Sequence, residues 1–252
     1  MSVSARRRFF FVHIHKAGGT SLWQRMAREF APQAMYPDRS DGDRYADFPQ
    51  ISVAQLLERW EQRRAEIEIV AGHFPLATVD LLGGDFVTLT VLREPVERTI
   101  SQVRRLQSRP EGREMSLETI YERRVRTGSR NHMVKMFSLT ADEVAAAAGA
   151  NKWPMLLQVD FPPERLARAK EQIARVDVMG MQDRLEEFCD ELRIRFDWEL
   201  GDPVDANRGA QKEVPAALRE WIAADNAIDI EFFDFAAGLY ERRRSEREDR
   251  RG

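Results

Sequence analysis

Residues 9–14 form a short, mostly apolar run rich in β-forming side chains, and it ends at Lys16-Ala17-Gly18-Gly19-Thr20-Ser21. From Ser21 the period changes. Trp23, Met26, Ala27 and Phe30 fall at i, i+3, i+4 and i+7, the spacing of one helix face. The opening therefore reads strand, glycine turn, helix. Residues 38–47 are polar, hold Gly42 and several acids, and read as a loop. A charged helix is expected over 56–65 and a short strand over 67–71. The segment 86–92, Phe-Val-Thr-Leu-Thr-Val-Leu, is the clearest strand, and its near-continuous apolar character suits a central parallel strand covered on both faces. Pro95 then stands where a helix can begin, because its missing N–H is one the first turn leaves unpaired anyway. Val96, Ile100, Val103 and Leu106 supply that helix with an apolar stripe.

The middle of the chain, 111–150, reads as helical and polar, with alanines at 145–148. A strand is expected over 176–181, and Leu185, Phe188, Cys189 and Leu192 follow at helical spacing. Residues 202–214 are a polar loop with Pro203 and Gly209, and 216–240 reads as one or two closing helices. Beyond residue 240 arginines alternate with acids, the pattern of a fraying helix end or an unstructured tail. There is no internal repeat and no linker between two units. Alternating strands and helices predict an α/β fold, a single domain over residues 1–240 with a mostly parallel central sheet flanked by helices, and a charged tail over 241–252. Ligands in such folds sit at the carboxyl ends of the strands.

Composition narrows the classes. The 252 residues carry 39 Lys+Arg and 42 Asp+Glu, so the chain lacks the basic excess of a general nucleic-acid binder. The hydrophobic fraction of 43% is that of a globular protein, which excludes wholesale disorder. A single cysteine, Cys189, rules out an internal disulfide, and with four histidines it leaves little material for a metal centre. Arg6-Arg7-Arg8 precedes an apolar run that meets His13 after four residues, shorter than the roughly 7–15 residues of a signal-peptide core. No run approaches the ~18 apolar residues of a membrane span. The expectation is a soluble, reduced, cytoplasmic protein with no membrane span.

Two segments carry candidate chemistry. In the first, 13–21, two glycines let the backbone approach a ligand and the following helix points free N–H groups and its positive dipole end at it. Thr20 and Ser21 add hydroxyl donors and Lys16 a mobile charge. The lysine precedes the glycines, which is not the order of a Walker A loop. In the second, Arg93 stands at the end of the clearest strand, and Arg98, Ser101 and Arg105 fall at i, i+3 and i+7 on the helix face opposite the apolar stripe. Two anion sites at neighbouring strand ends imply a ligand with two separated phosphate groups.

These two segments resemble those of the sulfotransferases that use 3′-phosphoadenosine 5′-phosphosulfate (PAPS), in the branch of the heparan sulfate and uronosyl 2-O-sulfotransferases and their bacterial relatives. The family's first loop reads close to His-Ile-Pro-Lys-Thr-Gly-Gly-Thr-Ser, matched here at His13, Ile14, Lys16, Gly18, Gly19, Thr20 and Ser21, with His15 and Ala17 departing. Its second motif, Arg-x-Pro-x-x-Arg-x-x-Ser, is matched by Arg93, Pro95, Arg98 and Ser101, while Val103 stands where a Tyr often follows. Gly72-His73 is similar to a Gly-His whose imidazole is the family's catalytic base. Residues 178–185 and 226–233 are similar to later family stretches, so the resemblance spans about residues 9–240.

The resemblance implies a P-loop-kinase-like sulfotransferase fold and transfer of a sulfuryl group from PAPS to an acceptor hydroxyl, on a carbohydrate by analogy with the branch. Adenosine 3′,5′-bisphosphate would be the product, and no metal is required. Lys16, Ala17, Gly18, Gly19, Thr20 and Ser21 would hold the 5′-phosphosulfate, and Arg93, Arg98 and Ser101 the 3′-phosphate. Arg208 and Lys212, in a late basic loop, would close over the 3′ side. Lys16 would stabilise the leaving phosphate and His73 would act as general base, its unperturbed pKa suiting removal of a hydroxyl proton. A strand-end histidine can also simply bond a nearby carbonyl. His13 and His15, two apart on a strand, would be a metal pair only with a third ligand, and His13 reads better as packing beneath the loop. The competing functions are a nucleotide-dependent kinase on the same strand–loop–helix plan and a non-catalytic nucleotide-binding protein. Neither His15 nor His132 receives a role.

Overall fold

The computed structural model describes residues 7–38, 41, 51–150, 157–202 and 213–249. Five strands, β1 (Arg8–Val12), β2 (Met35–Tyr36), β3 (Ile69–Gly72), β4 (Phe86–Leu92) and β5 (Val178–Met181), form one sheet in the order β2-β3-β1-β4-β5. Every pairing is parallel, and in the middle Phe11 lies opposite Ala71 on one side and Leu89 on the other. The early helices are α1 (Gly19–Glu29), α2 (Val53–Arg63), α3 (Thr78–Leu82) and α4 (Pro95–Gln107). Then come α5 (Leu117–Ile120), a π-helical turn at Tyr121–Val125, α6 (Arg126–Ser129), α7 (His132–Ser138) and α8 (Ala141–Gly149). The last are α9 (Pro163–Arg175), α10 (Leu185–Phe196), α11 (Ala216–Asp225) and α12 (Ala227–Asp249).

Strand order dictates which face each helix covers. The chain moves one way along the sheet from β1 to β2 and the opposite way at every later crossover, so right-handed connections put α1 on one face and the later crossover helices on the other. The cores agree. Phe9, Phe11, Ile69 and Val91 pack on Leu22 and Met26 of α1 and Phe188 and Leu192 of α10. Phe10, Val12, Val70 and Met179 pack on Leu56 of α2, Phe137 of α7, Ile173 of α9 and Phe232 of α12. With both faces covered, alternate residues of β1 serve two cores, which is why 9–12 is apolar without a break. A third cluster joins Ile100 and Val103 of α4 to Tyr121 and to Leu218 and Ile222 of α11.

Several expected boundaries move. The helix expected over 56–65 starts at Val53, because Ser52 caps it and exchanges side-chain and backbone hydrogen bonds with Gln55. The strands expected over 67–71 and 176–181 are Ile69–Gly72 and Val178–Met181. β2, two residues long, has no counterpart in the sequence reading. The region 111–150 is helical but not polar throughout, since every residue of α7 is buried, His132 and Lys135 included. Residue 240 marks no break: α12 runs on to Asp249, with Arg184 pairing Glu241 at 2.8 Å and Arg244 pairing Glu187 at 3.2 Å. Of the 38–47 loop only Asp38 and Asp41 are among the described residues. Among the described residues no helix is long and apolar enough to cross a membrane.

Arg98 of α4 turns inward and is buried. Its Nη2 donates to the Ser129 carbonyl at 2.7 Å and lies 3.8 Å from Asp229, the two side chains being 1% and 0% exposed. Asp229 in turn accepts the Met133 and Val134 N–H groups at 3.0 and 2.8 Å. This node ties α4, α7 and α12 together. Asp229→Ala leaves a guanidinium and a helix start buried without their anion, a loss of about 3–5 kcal/mol. The expected outcome is a large drop in the urea midpoint, and a variant as stable as the parent refutes the node.

Candidate anion-binding site at the carboxyl end of the sheet

The connection leaving β1 and the connection leaving β4 diverge towards opposite edges of the sheet, and a crevice opens between their carboxyl ends. The first loop enters it as a tight turn, with the Ala17 N–H donating to the Ile14 carbonyl at 3.2 Å. Lys16, third residue of that turn, has φ 66°, a left-handed conformation worth about 1–2 kcal/mol of strain for a side chain other than glycine. Such strain persists where the surroundings over-determine it. Gly18, at φ 83°, precedes α1 as its N-cap with no side-chain cap, and the first turn holds no acid. The first N–H groups of α1 therefore face the crevice with the positive end of the helix dipole. Gly19 is required for packing, since a Cβ there would lie 2.0 Å from the His13 ring. His13 sits beneath the loop, as expected.

All four histidines of the chain meet here. The His13 and His73 rings lie 4.2 Å apart and the His15 and His73 rings 5.2 Å, edge to face. The His15 N–H donates to His132 Nε2 at 3.5 Å. His73 Nδ1 bonds the His13 carbonyl at 2.8 Å. A carbonyl only accepts, so the proton is on Nδ1, and in the neutral ring Nε2 carries the lone pair. Burial pushes the His73 pKa down to about 4; the Lys16 charge acts in the same direction and the carbonyl bond opposes both. Burial, reinforced by neighbouring cations and imidazoles, also holds His13, His15 and His132 well below the ordinary histidine range.

The second segment meets the first directly. Arg93, at the end of β4, donates from Nη1 to the Lys16 carbonyl at 3.3 Å. The start of α4 is unlike that of α1, because the Glu94 carboxylate accepts the Val96 and Glu97 N–H groups at 3.0 and 2.7 Å. This helix end is already capped by an anion of its own. Ser101 and Arg105 remain half-buried on α4, and Arg93 is half-buried beside the loop. Arg98 is buried and engaged with Ser129 and Asp229, and its charge still acts on His15 and His132. Thr20 and Ser21 are half-buried in the first turn of α1 and Ala17 is buried. Arg208 and Lys212 lie outside the described residues.

The fold thus brings Lys16, His73, Arg93 and the start of α1 to one crevice and adds His15 and His132, to which the sequence reading gave no role. Asp229 was unreadable because its partners are 95 to 131 residues away in the chain. Among the described residues no group of three or more His, Cys, Asp or Glu side chains is placed to hold a metal ion. A cavity of about 270 Å³ lined by Val79, Thr88, Phe137, Arg168 and others shares no residue with either motif. No protein-family model matches the chain, and no curated protein matches it.

The buried histidines set a pH dependence of stability. Their folded-state pKa values lie below the unfolded value of 6.5, so below pH 6.5 the unfolded chain takes up protons that the folded chain refuses. Stability is full above about pH 7 and falls as pH drops through 6.5, by up to about 1.4 kcal/mol per pH unit for each such histidine. Urea midpoints measured from pH 7.5 to 5.5 are expected to fall steadily. A flat profile across that window contradicts the burial of these rings.

Proposed function

We propose that the protein transfers a sulfuryl group from PAPS to an acceptor hydroxyl, with a carbohydrate acceptor suggested by the family resemblance. The observation that carries the reading is the bond from Arg93 to the Lys16 carbonyl, which brings the glycine loop and the strand-end arginine side by side. A nucleotide whose ribose carries phosphate at both the 3′ and the 5′ position calls for two such segments. The residues present suit it: an uncapped helix start without acids, a glycine whose Cβ would strike His13, and a lysine on the turn before them.

In this reading the N–H groups at the start of α1 and Lys16 bind the 5′ end, and Arg93 and Ser101 bind the 3′-phosphate. Arg98 acts on the site only through its charge and the helices it holds. PAPS, when bound, supplies an activated sulfur whose bond to the phosphate oxygen breaks as the acceptor oxygen bonds to it, releasing adenosine 3′,5′-bisphosphate. Lys16 balances the charge that develops on the departing phosphate. His73 Nε2 takes the acceptor's hydroxyl proton, with Nδ1–H held by the His13 carbonyl so that the lone pair has one direction.

Adenosine 3′,5′-bisphosphate is expected to raise the melting temperature where ATP with Mg²⁺ does not. A shift with ATP and Mg²⁺ alone overturns the reading in favour of a kinase. With PAPS and a transferable acceptor, Lys16→Ala is expected to lower kcat by about 100-fold or more. His73→Ala is expected to lose about 100-fold in kcat while binding the bisphosphate as the parent does. Because burial holds His73 neutral down to about pH 4, the acid limb of kcat/KM lies near there rather than at 6.5. A limb at or above 6.5 removes His73 as the base.

A further inference from the structure

We infer that His132 positions Lys16 by accepting the His15 N–H, and that this pair does for the turn what a proline at position 15 would do. The inference rests on the proposed function only for what the loop binds. The turn Ile14-His15-Lys16-Ala17 is closed by the Ala17 N–H on the Ile14 carbonyl, with a positive φ at Lys16 and none at His15. Those are the signs of a type II turn, whose second position favours proline because the ring presets φ there. His15 lacks that restraint and keeps an N–H that needs an acceptor in a half-buried place.

His132 supplies the acceptor from the far side of the sheet's end, 117 residues away. It is fully buried, and its backbone is fixed from both directions. The Asn131 N–H donates to Asn226 Oδ1 and the Asp229 N–H to Asn131 Oδ1, each at 3.1 Å. The next two N–H groups, of Met133 and Val134, end on the Asp229 carboxylate. An N–H can be accepted only by an unprotonated ring nitrogen, so Nε2 of His132 carries the lone pair. Lys16 is then bracketed, His15 being held by His132 before it and its own carbonyl by Arg93 after it. Its left-handed conformation, and with it the origin of the lysine side chain, follows from those two bonds.

The test compares His132→Leu, His132→Gln and the double variant His15→Pro/His132→Leu with the parent, in the full chain. Two readouts are used: the affinity for adenosine 3′,5′-bisphosphate and the hydrogen-exchange rate of the Ala17 amide in the free protein. His132→Leu is expected to weaken binding at least fivefold and to speed Ala17 exchange at least tenfold. His132→Gln, which offers an oxygen where Nε2 stood, retains both properties, and adding His15→Pro to the leucine variant restores both. A purely structural role for His132 does not predict rescue by a proline at 15. Unchanged Ala17 exchange in His132→Leu, or no recovery with His15→Pro, overturns the inference. Should the leucine variants fail to fold, loss of Ala17 protection in His132→Gln overturns it and retention supports it. Absence of bisphosphate binding in the parent itself refutes the proposed function, and the Ala17 exchange rates still decide the role of His132.

Discussion

The Asp229 carboxylate has no exposed surface, and the helices at the carboxyl end of the sheet are arranged around that fact. A buried carboxylate is tolerated only when its oxygens are satisfied. Here two backbone N–H groups of α7 and the Arg98 guanidinium meet it. Burial raises its pKa, and Arg98 and the amide donors pull it back. In exchange α7 has its exposed dipole end neutralised by a charge from α12, and α4 is bolted to both. His132 begins α7, so the same carboxylate sets where His132 stands, and the chain of contacts runs on through the His15 N–H to Lys16. A residue with no contact to the crevice thereby governs its shape.

The four imidazoles show the complementary consequence of burial. Near Lys16, Arg93, Arg98 and Arg105, further positive charge would crowd the crevice, and desolvation keeps the rings neutral at ordinary pH. Neutral rings can accept hydrogen bonds: His132 accepts the His15 N–H, and His73, bonded through Nδ1 to a carbonyl, keeps a lone pair on Nε2 that the proposed mechanism uses. The positive potential of the site then comes from lysine, arginine and the start of α1.

Much of the fold was legible because hydrophobic period and strand order constrain each other. The runs at 9–14 and 86–92 are mostly apolar because both faces of the sheet are covered, and the parallel α/β reading follows from them. Boundaries slipped where apolar residues were followed instead of caps, as at Ser52 and Gln55. The burial of Arg98 is illegible for a different reason: only a distant acid, Asp229, makes the burial of an arginine tolerable. The same holds for α7, where His132 and Lys135 read as polar yet lie among Met133, Val134 and Phe137. The candidate site was legible wherever it is local, in the glycines after β1 and the arginine at the end of β4. It was illegible wherever it depends on pairs 95 or more residues apart.

The two helix starts in the crevice divide the labour. α4 begins with Pro95 and carries its own anion, Glu94, bonded to two of its first N–H groups. An external phosphate at that end would have to displace a carboxylate held by two short bonds and fixed in the backbone, so the second segment can offer a ligand its side chains, Arg93 and Ser101, but not its helix dipole. α1 follows Gly18 and begins at Gly19, with no capping side chain and no acid in its first turn, so its start carries no anion of its own, and a bulkier residue at position 19 is excluded by His13. Charge that develops during a reaction is best met by dipoles that need not move. Among the described residues of the two segments, the first loop offers such dipoles next to a lysine and a histidine lone pair, so in the proposed reading the reacting end of the ligand lies at α1 and its anchoring end at Arg93.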